Sequence, residues 1–199
     1  MSRGPAMFKR LLLLCCLGLL SACAARPQLA TNGVMVPPAG QAYGILAVTF
    51  NSLDHDTTVT SVVVEGPWGR QEFFANNNNY IRDAGDIPDT TGQLHLLTLV
   101  PGHYTMTDTW TRWGNPGMDM SRRIGRLPLN QGFDVKAGDV VYLGEVHVDV
   151  NFQPTATLKD AHNRDFNHIK TMWGVPDTSN IQIRLPQPAA ATQTAQPAQ

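Results

Sequence analysis

Apolar and polar positions follow two different rhythms along this chain. Residues 11–20, LLLLCCLGLL, form one unbroken apolar block behind a short start that holds Arg3, Lys9 and Arg10 and no acid. From residue 43 onward the apolar runs are short and rich in Val, Ile, Thr and aromatics, each broken by Gly, Pro, Asn or Asp. Such runs favour strands, whose side chains point alternately to opposite faces.

The second rhythm predicts strands over 43–50, 57–65, 70–75, 94–100, 103–111, 133–136 and 140–150, with an edge strand over 181–185. Turns fall at Asn51-Ser52-Leu53-Asp54, Gly66-Pro67-Trp68-Gly69, Pro101-Gly102, Gly114 to Gly117 and Ala137-Gly138-Asp139. Residues 76–93, with four consecutive asparagines, Gly85, Pro88 and Gly92, read as a long loop. About seven to nine strands at this spacing make a sandwich or barrel, and the antiparallel sandwich is the expectation taken forward. One helix is predicted over 158–173, with Thr157 as N-cap, Asp160 closing a capping box, Gly174 at C′ and Pro176 beyond. Leu158, His162, Phe166, Ile169 and Trp173 fall within an arc of roughly 80° on it.

The apolar block is too short to cross a bilayer, since ten helical residues rise only about 15 Å. With its basic start it fits the apolar region of an export signal. Leu20-Ser21-Ala22-Cys23 follows directly. These four residues resemble the lipobox of bacterial lipoproteins. The resemblance implies cleavage before Cys23, a diacylglyceryl group on its sulfur and a third acyl chain (palmitate) on its amine. It also implies sorting to the outer membrane, facing the periplasm, because Ala24 is not the acidic residue that retains such proteins at the inner membrane. Two or more acyl chains anchor stably, where one binds only marginally.

Of 199 residues, removing 22 leaves 177, with Cys23 as the sole cysteine, so no intrachain disulfide is available and stability must come from burial. Of the 15 basic residues, 12 then stand against 16 acids, which argues against nucleic acid and against attraction to anionic lipid headgroups. Residues 23–40 read as a lipidated cysteine and flexible tether of roughly 20–25 Å reach, 41–185 as the folded domain, and 186–199 (PQPAAATQTAQPAQ) as a disordered tail.

Within the domain, Val100-Pro101-Gly102-His103-Tyr104 is similar to the Pro-Gly-x-Tyr turn of prealbumin-like sandwiches, including carboxypeptidase-regulatory-type domains. The run from Phe133 to Gly144 resembles the strand-turn-strand that follows in bacterial lipoproteins of that fold. The resemblance spans about 50 residues around 94–144. It implies an immunoglobulin-like or prealbumin-like sandwich with an accessory or binding role and no catalytic residues to carry over.

Three constellations bear on chemistry. On strand 140–150, simple alternation puts Tyr142, Val146, Val148 and Val150 on one face and Glu145, His147 and Asp149 on the other, a spacing at which i and i+2 neighbours can share a metal and all three can meet one only if the strand bends. On the helix, His162 and Asp165 at i and i+3 are placed to pair, as an oriented general base or as a packed histidine with its partner. Trp68, Trp110, Trp113 and Tyr80 sit in or near turns, where aromatics can stack on a sugar ring or anchor a partner. Trp68 and Trp113 join His162 and Asp165 as the candidate ligand-binding residues. Arg122, Arg123 and Arg126 form the one basic cluster. There is no Gly-x-Ser-x-Gly elbow, phosphate loop, Cys-x-x-Cys or His-Glu-x-x-His, so no cofactor is expected. The expectation is a non-catalytic, lipid-anchored binding or scaffolding module for an envelope protein or a glycan such as peptidoglycan. The alternative is an envelope hydrolase or metal-dependent enzyme built on His162/Asp165 or Glu145/His147/Asp149. A subunit of a larger envelope machine is a third reading, and it predicts an exposed apolar edge strand or patch.

Overall fold

A computed structural model describes residues 29–53, 57–113 and 123–189. The candidate lipidation site Cys23 and the rest of its motif lie outside the described residues, as do Arg122 and residues 190–199. In chain order the elements are β1 (Ala30–Thr31), β2 (Val34–Met35), β3 (Ala42–Asn51), β4 (Val59–Gly66), β5 (Gly69–Asn76), β6 (Tyr80–Ile81), β7 (Thr90–Leu99), β8 (Gly102–Trp113), β9 (Arg123–Val135), β10 (Val140–Asp149) and β11 (Thr155–Lys159). Helix α1 (His162–Met172), β12 (Gln182–Ile183) and β13 (Gln187–Pro188) follow.

The described residues are mainly β, a sandwich of two sheets with one helix among them. The first sheet runs β11-β10-β3-β7-β6, with β12 also on β10, and the second runs β13-β9-β8-β4-β5. Most pairings are antiparallel, but β10 lies parallel to both β3 and β12. The parallel pair joins strands distant in sequence, with β4 to β9 lying between β3 and β10 in the chain. Strand β3, AYGILAVTFN, is buried along all but its last residue, as a strand covered on both faces should be.

Two apolar layers hold this arrangement. Leu46, Val48, Phe50, Val62, Val64, Leu97, Leu99, Met106, Val146 and Val148 fill the space between the sheets. On the far face of the first sheet, Tyr43, Ile45, Ala47, Leu94, Val140 and Tyr142 pack under Ile169, Val175 and Ile181. The Pro-Gly turn closes one end of the inner layer: the Tyr104 hydroxyl donates to the Val100 carbonyl at 2.9 Å. The Tyr104 ring stacks on Phe133 and meets Trp68 edge-on, with centroids 5.4 and 5.1 Å apart.

Several boundaries move from their sequence-based positions. The expected tether is shorter, because β1 and β2 form a hairpin and Met35, 1% exposed, is buried in the outer layer. The expected tail begins later, because β13 pairs with Gly132 and Gln131 of β9. The loop over 76–93 contains β6 and the first residues of β7. The first turn of the expected helix is instead strand β11, paired antiparallel with β10 from Glu145–Lys159 to Asp149–Thr155. Ala156 and Leu158 pack on the inner layer while Thr155, Thr157 and Lys159 are exposed, a period of two that is satisfied only by pairing with β10. Thr157 is therefore no N-cap; Asp160 accepts the His162 backbone N–H at 3.0 Å where the helix starts. The helix ends as expected, with Gly174 at φ +70°.

Candidate functional site

The face of the first sheet that carries α1 gathers most of the buried charge. Its geometry depends on one irregularity in β10. Tyr142 pairs with Ile45 and Glu145 with Ala47, so Leu143 and Gly144 together oppose Leu46. This is a β-bulge, and it inverts the face of every residue on one side of it. Gly144 takes φ +94°, and a Cβ there would lie 2.8 Å from Leu185 Cδ2 and 2.9 Å from the Lys159 carbonyl oxygen. Tyr142 therefore shares a face with Glu145, His147 and Asp149, and not with Val146, Val148 and Val150, as unbroken alternation would have it.

Asp165, fully buried, is bound from two sides. The Tyr142 hydroxyl donates to Oδ2 at 2.6 Å, and Arg164 Nε and Nη2 reach Oδ1 at 2.8 and 2.7 Å. The Tyr142 oxygen in turn accepts the Ala161 backbone N–H at 3.1 Å, which ties the start of α1 to the sheet. Burial pushes the Asp165 carboxyl up from the usual carboxylate range, against the pull of Arg164 and Tyr142. Burial and the neighbouring Asp165 charge push the Tyr142 phenol up.

Glu145, 1% exposed, continues the network. Arg164 Nη1 lies 3.2 Å and Lys159 Nζ 3.5 Å from Oε2, an oxygen that accepts no well-aligned hydrogen bond. Thr49 donates its hydroxyl to Oε1. Burial works against the charge, but Thr49, Arg164 and Lys159 prevail and hold the carboxyl below its ordinary range. Thr49 Oγ1 also lies 2.8 Å from His147 Nδ1. A hydroxyl has one proton, and here it goes to Glu145, so His147 must donate from Nδ1. The neutral His147 ring then carries its lone pair on Nε2. Burial and the Lys159 charge lower the His147 pKa, and the side chain is 29% exposed.

The sequence-predicted candidates separate. His162 pairs with Asp160 at 2.9 Å and stacks edge-on with Phe166; it does not pair with Asp165, whose carboxylate is taken by Tyr142 and Arg164. The buried helix positions are Asp165, His168 and Ile169. Trp68 turns inward against the inner layer, packed on Tyr104 and Phe73, and so offers no exposed ligand platform. Trp113 ends β8, and its side chain is outside the described residues. Trp110 lies under the guanidinium of Arg126, 5.3 Å from the ring centre, and Arg126 pairs with the buried Asp108. Tyr80 is exposed on β6. Asp149 accepts from Asn51 Nδ2 at 3.1 Å and from the Asn151 backbone at 2.9 Å. Among the described residues no group of three His, Cys, Asp or Glu side chains is arranged to hold a metal ion.

Sequence reasoning missed Thr49, Lys159, Arg164 and the role of Tyr142. It also missed His168, whose Nδ1 accepts the Arg82 backbone N–H at 2.8 Å, and His95, whose ring reaches the Phe74 carbonyl at 3.0 Å across the gap between the sheets. The available signal was Gly144 in the interior of a valine-rich strand, which marks a bulge.

An open groove of about 930 Å³ lies elsewhere, where β9 meets the C-terminal segment. It is lined by His103, Asp134, Lys136, Asp139 and Arg184. Its ionic pairs are His103–Asp134 at 3.1 Å, which is exposed, and Arg184–Asp139 at 2.9 Å, which is partly covered. In comparisons with protein-family models, curated proteins and solved structures, nothing matches this chain.

Proposed function

We propose that this protein is a lipid-anchored module of the bacterial cell envelope that binds or scaffolds an envelope partner and does no chemistry on it. One observation supports the non-catalytic reading above others. The acid–base groups that a hydrolase would use are each engaged by a structural neighbour. His162 is held by Asp160, Asp165 by Tyr142 and Arg164, and Asp149 by Asn51. The hydroxyls that reach the buried acids and His147, those of Tyr142 and Thr49, belong to fully buried side chains committed to that network. The anchor rests on the order of basic start, apolar block, small pair and Cys23 in the sequence. Confinement at a membrane raises the effective concentration of the domain toward local partners, so modest affinity suffices.

The test is fractionation with mass spectrometry. The wild-type chain is expected in the membrane fraction, with acyl chains on Cys23 and residues 1–22 removed. Cys23→Ala is expected to move to the soluble fraction. An unmodified Cys23 thiol, or a Cys23→Ala chain that stays membrane-bound, would refute the anchor.

A further inference from the structure

Beyond the edge of α1, the outer face of the first sheet ends in a polar rim. The β3–β10 and β10–β11 registers place Thr49, His147 and Thr157 in one row and Asn51, Asp149 and Thr155 in the next. The turn after β10 continues the rim. Asn151 bridges it to the β3 side through its own N–H to Asp149, at 2.9 Å, and the Leu53 N–H to its side chain, at 2.5 Å. Phe152, one residue on, is 94% exposed, the most exposed large apolar side chain among the described residues.

The rim is built from beneath. Glu145 and Thr49, both essentially fully buried, make a chain of hydrogen bonds that ends at His147 Nδ1. Burying a carboxylate is costly unless its charge is met, and Arg164 could be satisfied by Asp165 alone. The consequence of Glu145 that reaches solvent is a histidine locked in one tautomer, its side chain 29% exposed and its lone pair on Nε2. Lys159, Arg164, Glu145 and Asp149 are the charged groups around that ring.

We propose that this rim binds a sugar unit of an envelope glycan, with the Phe152 ring under an apolar pyranose face, and His147 Nε2 and the Asp149 carboxylate accepting from its hydroxyls. A pyranose has one face of C–H groups and an edge of hydroxyls, so it needs an exposed aromatic beside fixed acceptors. The rim supplies the acceptors at positions 147 and 149 of β10, and the exposed aromatic follows three residues after Asp149 on the turn. The proposal deepens the envelope-binding reading and rests on it.

The test titrates the full mature chain, in detergent micelles, with chitotetraose, cellotetraose and maltotetraose, followed by calorimetry. Saturable binding of at least one oligomer is expected. Phe152→Ala and His147→Ala should each weaken it at least fivefold, with circular dichroism unchanged. Nitrogen NMR of the His147 ring should show the Nδ1-protonated form. Phe152 lies on an exposed turn, so its variant stays informative if His147→Ala does not fold. Absence of saturable binding to all three oligomers, or binding indifferent to Phe152→Ala, overturns the proposal. Membrane fractionation of the same preparation separates the two readings: a membrane-bound chain that binds no glycan loses the sugar site and keeps the anchor.

Discussion

Replacing Asp165 by Asn keeps the volume and removes the charge at the centre of the buried network. In the native protein its carboxylate accepts two hydrogen bonds, from the Tyr142 hydroxyl and from Arg164 Nε, and Arg164 Nη2 adds an ion-pair contact at 2.7 Å. An amide offers one acceptor and one donor group, so the NH₂ end must face either the Tyr142 hydroxyl or the Arg164 fork. Removing one partner of a buried ion pair costs about 3–5 kcal/mol. Arg164 keeps Glu145 at 3.2 Å, which places the expected loss near the lower end, about 3 kcal/mol. Tyr142→Phe removes the bond to Asp165 and the acceptor for the Ala161 N–H, and a bond to a charged group contributes about 1.5–3 kcal/mol. Because the two residues touch, the double variant should lose less than the sum, with a coupling of about 0.5–3 kcal/mol. Urea unfolding at pH 7, followed by circular dichroism for the four proteins of the cycle, measures each quantity. Losses under about 1 kcal/mol for Asp165→Asn, or strict additivity with Tyr142→Phe, would show that the network does not hold α1 to the sheet.

Gly144→Ala should destabilise by about 2–4 kcal/mol in the same assay, since it sets a side chain at φ +94° with its Cβ 2.9 Å from the Lys159 carbonyl oxygen; a neutral result would refute the bulge. His95 is predicted to make stability fall with acid. Burial lowers its pKa from 6.5 to about 4. The unfolded chain therefore binds the proton more readily between those values. The stabilisation is fully present above pH 6.5 and is lost as pH falls toward about 4. The difference in unfolding free energy between wild type and His95→Gln, measured from pH 7.5 to 4, should shrink on the acid side; a pH-independent difference would refute the assignment.

Much of the sandwich is visible in the chain as written. Strand β3 reads as a doubly buried strand because nine of its ten positions are apolar or small, and β8 follows directly from a Pro-Gly turn that Tyr104 then clamps. Gly174 stops the helix because a left-handed φ is needed there, a requirement local enough to be seen in one residue. The start of the same helix was misread for a complementary reason. Thr157 and Asp160 carry a valid capping pattern, but Leu158 gains more by packing on the inner layer as part of β11. Burial against a partner strand outweighs a cap worth about 1 kcal/mol.

The candidate site was legible only as a set of residue types. Glu145, His147 and Asp149 stand out at alternate positions, but nothing near them announces Thr49, 96 positions before Glu145, or Arg164 on the helix. By itself the sequence determined the alternation that makes strands, the turns that end them and the apolar block that precedes Cys23, because each depends on residues within a few positions of one another. Only the tertiary structure decided which acid meets which base. A single extra residue at Gly144 exchanges the faces of β10, and with them the partner of every charged side chain on it.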